Sequence, residues 1–449
     1  MSRTPGAHGS GFDVAIVGAG AAGLAAAAVL RGTGRRCILL EAGMRIGGRA
    51  HTARPDCLGG ARFDTGATWL HQTDRNPLVA LARARGITLR PAHQGAMRLF
   101  VGDRPATEAE SADYDEATAA WERRACNDAA GPDRPLYEAG GPAGPWTANI
   151  ENWQGSIIAA ADAQAIGLHD WRRNLLDDSD LSPPDGVGTL LAELLGPMAG
   201  DVAFGHAVSA IDWSGSDGCV LGSSHGPIKA GAVIVTVSTG VLRAGGIKFF
   251  PSLPDTTRIA IDGLPMGLLS KLALPATGED RLGLAPGTLL ERRLTSRGRG
   301  GMLLAAWPEG LPYVAGFFGG GMAWDLADAP EAALSQARAG LRELFGARAD
   351  TALSTGTGFV TDWARDPLFA GAYAYCPPGR AESRAMLAAP VGGRLLFAGE
   401  ACRTDGLAGT VGGALLDGER AARWLLRAHF GVQSPPCLAD GFPADTKPV

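Results

Sequence analysis

Residues 14–30 are almost wholly apolar, but the pattern changes character partway along. Asp13-Val14-Ala15-Ile16-Val17 is a short, β-branched run, which predicts a strand buried on both faces. Gly18-Ala19-Gly20-Ala21-Ala22-Gly23 follows directly, and residues 24–30 then read as an alanine-rich helix. Further strands are predicted at Cys37-Ile38-Leu39-Leu40, at residues 232–237 and at Leu395-Leu396-Phe397, with a closing helix that runs to about Arg427. Such alternation of buried strands and helices is the pattern of an α/β fold.

In this strand, turn and helix setting each glycine of the G-x-G-x-x-G run has a task. Gly18 makes the tight turn, Gly20 lets a pyrophosphate approach, and Gly23 lets helix pack on strand. The helix start around Ala22 offers free amides to phosphate oxygens. Glu41 closes the second strand, where it can accept hydrogen bonds from a ribose diol and repel a 2′-phosphate. A glycine-rich turn without a ligand is the competing reading. A second glycine pair, Gly47 and Gly48, stands behind Glu41 and Ala42, flanked by Arg45 and Arg49, either of which offers a counter-charge to the same pyrophosphate.

Composition narrows the class. With 46% hydrophobic and 19% charged residues and a net charge of −5, the 449-residue chain should bury a core, which disfavours disorder and a basic nucleic-acid-binding domain. The 65 glycines are near twice the usual share. The apolar stretch at residues 14–30 is broken by three glycines, so it predicts neither a signal peptide nor a membrane span. Seven scattered cysteines without C-x-x-C, and eight histidines without metal-ligand spacing, argue against a zinc site and fit a reducing cytoplasm. Lysine is scarce: only Lys229, Lys248, Lys271 and Lys447 occur. Lys271 lies inside Leu264-Pro265-Met266-Gly267-Leu268-Leu269-Ser270-Lys271-Leu272-Ala273-Leu274, where burial would disfavour its charge. A strand-edge lysine that snorkels to water is the alternative.

The run G-A-G-A-A-G followed by E-A-G-x-R-I-G-G-R resembles the flavin amine oxidase family, which implies FAD rather than NAD. Residues 63–71, ending in Trp69-Leu70-His71 with Asn76-Pro77 beyond, resemble the family segment beside the flavin ring, and the W-L-H form is similar to polyamine oxidases. Those enzymes usually have glycine where this chain has Gln72. The resemblance implies that Gly66, Ala67, Thr68 and Trp69 line the flavin, that Val208 lies near the adenine, and that Lys271 holds a water at flavin N5. It also implies that Trp363 and the Gly371-Ala372-Tyr373-Ala374-Tyr375 stretch face the flavin, with Tyr373 as one wall of an amine cage whose second member is Thr410. Monoamine oxidases carry a flavin-linked cysteine where Ala372 stands, so noncovalent FAD is expected. Ser238 replaces a proline common in the family. Gly399-Glu400 would bind the ribityl chain, and the helix N-terminus at Val411 would face the flavin N1–C2 edge. His71 is either a partner for a substrate nitrogen or an ordinary loop histidine.

The expected architecture is therefore a discontinuous Rossmann-like FAD-binding domain (11–85, 186–250 and 385–430) with a mixed α+β substrate-binding domain (86–185 and 251–384). The implied reaction takes an amine to an imine, with hydride passing to flavin N5, imine hydrolysis, and reoxidation by O₂ to H₂O₂. The implied catalytic residues are Lys271, His71 and Tyr373. A small amine and O₂ are the expected partners, without metal, nucleic acid or membrane, in the cytoplasm. An L-amino acid oxidase, a desaturase of an apolar substrate and a non-catalytic flavin-binding protein are the alternatives. Gly95-Ala96-Met97-Arg98 resembles a carboxylate clamp of L-amino acid oxidases, but residues 97–101 read better as a strand. The acidic cluster Asp177-Asp178-Ser179-Asp180 could attract a polycation, but reads better as a solvated loop before Pro183-Pro184-Asp185-Gly186. Residues 105–185 carry no motif.

Overall fold

Two β-sheets organise the chain in a computed structural model that describes residues 11–438 except 93, 94, 178, 299, 434 and 436. The apolar strand Phe12–Val17 lies inside an eight-stranded sheet, paired in parallel with both Cys37–Leu40 and Gly226–Val235. Leu395–Phe397 adds in parallel to Gly226–Val235, so strands from both ends of the chain share one sheet. Val208–Asp212, Cys219–Ser223 and Lys248–Phe250 extend it on one side and Val202–Ala203 on the other. A strand with neighbours on both edges and helices on its face must be apolar throughout, which explains the unbroken run at residues 14–17.

The helix after the glycine loop, Ala21–Arg31, is buried over ten of its residues because small side chains let two further helices close on it. At Gly418, in the helix Val411–Trp424, an added Cβ would lie 2.0 Å from the Ala22 carbonyl oxygen. The helix Val187–Ala199 covers another side of the same core.

A seven-stranded sheet gathers Met97–Val101, Arg104–Pro105, Leu269–Pro275, Thr288–Arg292, Leu303–Ala306, Tyr313–Gly319 and Phe359–Val360. Helix Pro330–Phe345 packs on it through Ala333, Leu334, Ala337 and Leu341. The motif-free segment forms a helical layer: Glu108–Asp128, with a Thr107 and Glu110 capping box, then Thr147–Glu151 and a π-helical turn at Asn152–Ile157. Ala260, Ile261, Leu264, Met266, Ala374 and Cys376 pack in the core of the first sheet. Among the described residues no helix is long and apolar enough to cross a membrane, and no cluster of His, Cys, Asp or Glu is arranged to hold a metal.

Candidate active site

A cavity of about 920 Å³ runs from the glycine loop to Lys271 and on into the helical layer. This lies at the upper end of the roughly 300–1,000 Å³ common for ligand sites. Gly18, Gly20, Ala22, Glu41, Ala42 and Gly48 line one part of it, with Val208 on the wall. Gly18 has φ +103°, a backbone that L side chains rarely adopt. An added Cβ at Gly20 would find nothing closer than Gly48 Cα at 4.0 Å, so a side chain there would occupy the channel rather than strike protein. Gly23 does not line the cavity; its Cβ would lie 1.9 Å from the Gly18 carbonyl oxygen, so its task is helix packing. The cradle fits an extended dinucleotide.

The charged residues of the cradle are engaged by protein. Glu41 accepts from the amides of Ala19 at 2.8 Å and Gly43 at 2.7 Å, stapling the two loops. Arg49 donates to the Ala372 carbonyl at 2.7 Å and pairs with Glu400 at 2.9 Å. Glu400 also accepts from the Ala374 amide at 3.2 Å. Arg45 departs from the expected counter-charge role: it donates to the Gly48 carbonyl at 2.7 Å, lies 5.8 Å from the Phe369 ring centre, and does not line the cavity. It braces the loop from behind.

Further along, the walls are Gly66, Ala67, Thr68, Trp69, Trp363, Gly399, Thr410 and Val411. Trp363 donates its indole N–H to the Thr65 carbonyl at 2.9 Å, and an added Cβ on Gly66 would lie 1.7 Å from the Arg49 carbonyl oxygen. Thr410 caps the helix Val411–Trp424: its hydroxyl accepts from the Gly413 amide at 3.0 Å and donates to the Leu407 carbonyl at 2.8 Å. The helix N-terminus is thereby presented to the cavity.

Lys271 is 5% exposed, on the strand Leu269–Pro275. Its ammonium donates to the carbonyls of Asp64 and Gly66 and to the Thr68 hydroxyl. Burial lowers its pKa to about 8, against a smaller opposing attraction from Asp64. Burial likewise raises the Asp64 carboxyl, opposed by the Thr52 hydrogen bond and by the Lys271 charge. Three donors facing three oxygens leave the charged ammonium no spare hydrogen. A water can therefore bind to the neutral amine, through the Thr68 hydroxyl, or in place of one of these bonds.

Tyr373 lines the same cavity, and its phenol donates to the Ile157 carbonyl at 3.1 Å. Burial raises that phenol and keeps it neutral. Trp69 stacks on Phe317 with ring centres 5.6 Å apart. The π-helical turn also brings Trp153 and Gln154 to the cavity, and Glu122 enters from Glu108–Asp128. Nothing in the sequence of residues 105–185 marked these walls.

Residues 97–101 form the expected strand, whereas the acidic cluster departs from its expected role. Met97 reaches the cavity, whereas Arg98 does not line it and lies 5.7 Å from the Phe100 ring centre, so the carboxylate clamp is not formed. The acidic cluster is not merely solvated loop: Asp177 and Asp180 line the cavity, and Asp180 lies 2.7 Å from His71 Nδ1; Asp178 lies outside the described residues. His71 lines the cavity beside Trp69.

Comparison with known proteins follows the same lines. A profile of flavin containing amine oxidoreductases matches residues 134–426, about two thirds of the chain, and a profile of NAD(P)-binding Rossmann-like domains matches residues 16–84. The chain is 26% identical to lysine-specific histone demethylase 1 homolog 1 of Oryza sativa, over 93% of this chain and 52% of that protein. It thus spans about half the length of the first curated relatives it matches. Probable polyamine oxidase 4 of Arabidopsis thaliana is 28% identical over 93% of this chain and 88% of its own length; the figures for polyamine oxidase 1 of rice are 27%, 93% and 98%. In fold, the chain matches a putrescine oxidase redesigned in cofactor binding with a TM-score of 0.75, at 20% identity, over 92% of this chain and 98% of the other.

Proposed function

This chain belongs to the flavin-containing amine oxidoreductase family, and from that premise we propose that it is an FAD-dependent oxidase of a polyamine or a related amine. The observation that carries the reading is a continuous cavity lined both by the glycine cradle and by Lys271, His71 and Tyr373. The flavin, when bound, supplies the acceptor for a hydride leaving the amine carbon, and O₂ restores it with release of H₂O₂.

The protein orients and excludes water. Gly18, Gly20, Ala22 and Gly48 supply backbone against the pyrophosphate, Glu41 and Ala42 serve the ribose, and Val208 packs at the adenine. Arg49 and Glu400 lock Ala372 and Ala374 in front of the ring position, and Ala372 has no nucleophile to offer, in keeping with noncovalent FAD. Gly66, Ala67, Thr68, Trp69, Trp363 and Gly399 wall the ring site, and the helix start at Thr410 and Val411 favours negative charge developing there. Tyr373 flanks the amine. His71 binds an amine nitrogen. Lys271 works as the neutral amine, its lone pair available to a water proton. We assign residues 11–85, 186–250 and 385–430 to cofactor binding and residues 86–185 and 251–384 to the substrate side, save that Ala260, Ile261, Leu264, Met266, Ala374 and Cys376 share the core of the first sheet.

The absence of Arg98 from the cavity lining weighs against an L-amino acid oxidase. The polar pair His71 and Asp180 in the cavity wall weighs against a desaturase of an apolar substrate, which would strip water from the exposed edge of the pair and replace it with nothing polar. Anaerobic mixing with polyamines, monoamines and L-amino acids, followed by flavin absorbance, tests the reading. Bleaching by an amine is expected; if no amine bleaches the flavin while dithionite does, the oxidase reading fails.

A further inference from the structure

We propose that Asp180 is a positioning residue for His71, holding the ring proton on Nδ1 so that Nε2 presents its lone pair to a substrate N–H. This rests on the reading of His71 as partner of an amine nitrogen, and it adds a residue from the segment that carried no motif.

Asp180 Oδ1 lies 2.7 Å from His71 Nδ1, and their side chains are 12% and 22% exposed. An ionised carboxylate only accepts hydrogen bonds, so Nδ1 must be the donor. In the neutral ring Nε2 is then an acceptor. Among the described residues no protein group is in hydrogen-bond contact with Nε2, and the ring lines the cavity. The surroundings are built to keep this orientation. Leu70 and Leu181 exchange two backbone hydrogen bonds, at 2.8 and 3.1 Å, on one side of the pair. The Thr73 amide donates to the Ser179 hydroxyl at 3.1 Å, and the Asn76 amide group donates to the His71 carbonyl at 2.9 Å.

Gln72 contributes from the next position. Its backbone has φ +55°, its residue is 8% exposed, and its side-chain amide donates to the Leu175 carbonyl at 3.2 Å. A non-glycine residue in that left-handed conformation is strained, so the side chain has to give something in return. What it gives is a tie between the His71 turn and the stretch leading to Asp180. The loop that carries the carboxylate is therefore fastened to the loop that carries the imidazole by four hydrogen bonds, which hold the Asp180 carboxylate within reach of the ring.

The test uses the FAD-loaded protein and three variants: Asp180→Ala, His71→Ala and the double variant. The readouts are the ¹⁵N signals of the His71 ring, assigned by their loss in His71→Ala, and kcat and KM with whichever of spermidine, putrescine and benzylamine reduces the flavin fastest. Wild-type protein should show the Nδ1–H tautomer, and Asp180→Ala should shift the ring toward Nε2–H. KM should rise about tenfold, the worth of one hydrogen bond to a charged group, with kcat within about twofold. The double variant should be no worse than His71→Ala, because Asp180 acts through His71. Asp180→Asn, which keeps an acceptor oxygen at the same place, should recover much of the loss, and Asp180→Leu, similar in size but without an acceptor, replaces Asp180→Ala if that variant fails to fold. An unmoved tautomer, or additive KM effects, overturns the role of Asp180 while leaving that of His71 standing. An unchanged KM in His71→Ala removes the amine-partner reading itself and the use of the lone pair with it.

Discussion

Arg49 and Glu400 meet at 2.9 Å although 351 positions separate them in the chain. Glu400 is nearly buried; the Ala374 amide is its other partner named above, the buried Arg384 guanidinium also attracts it, and Arg49 is its direct ion-pair partner. Removing one member of such a pair leaves an uncompensated charge, which is far more damaging than replacing both. Arg49→Ala should therefore cost about 3 kcal/mol in urea unfolding and weaken FAD retention. Arg49→Met paired with Glu400→Gln should cost less than Arg49→Ala. Equal losses in the two would show that the ion pair is not what holds the loops together.

Lys271 makes stability depend on pH in a defined direction. Its folded pKa, about 8, lies below its ordinary value of 10.5, so between these the unfolded chain binds more protons. Stability should rise with pH across that window, and the full penalty is present below pH 8. Relative to Lys271→Met, wild-type protein should gain about 3 kcal/mol between pH 7.5 and 10.5. Parallel unfolding curves for the two proteins across this range would contradict a titrating Lys271. Turnover should fall sharply in Lys271→Met while FAD stays bound; unchanged turnover would remove its proposed role.

Gln72 can be separated into strain and bond. Gln72→Gly relieves the left-handed backbone and loses the hydrogen bond to Leu175, so the two effects should nearly cancel in thermal unfolding. Gln72→Ala keeps the strain and loses the bond, and it should be less stable than Gln72→Gly by about 1 kcal/mol. The reverse order would mean that the side chain packs more than it ties.

Thr410 serves as an N-cap. Thr410→Ala should cost about 1 kcal/mol, and Thr410→Ser should restore most of it, because either hydroxyl can accept from the Gly413 amide. A differential scanning measurement on the FAD-free and FAD-loaded proteins checks this. If Ser and Ala behave alike, the threonine methyl rather than the cap is what matters there.

Local spacing carried much of the plan. The strand at 12–17, the glycine turn, the second strand and the closing strand and helix were all readable, because buried parallel strands and helix packing impose their patterns on neighbouring residues. The burial of Lys271 was readable from its apolar neighbours, though not that its run forms a strand. Side-chain partners were not readable. His71 and Asp180 are 109 positions apart, and a carboxylate on a Pro-bounded acidic loop looks solvated until the chain returns it to the cavity. Arg45 and Arg49 were equivalent in sequence; only the fold turned one to Phe369 and the Gly48 carbonyl and the other to Glu400. The walls at Glu122, Trp153, Gln154 and Ile157 arise where a helical layer without any phosphate-binding or strand signature closes over the sheet. Backbone conformation is dictated by neighbours in the chain, whereas hydrogen-bond and charge partners are chosen by neighbours in space, and those exist only once the chain has folded.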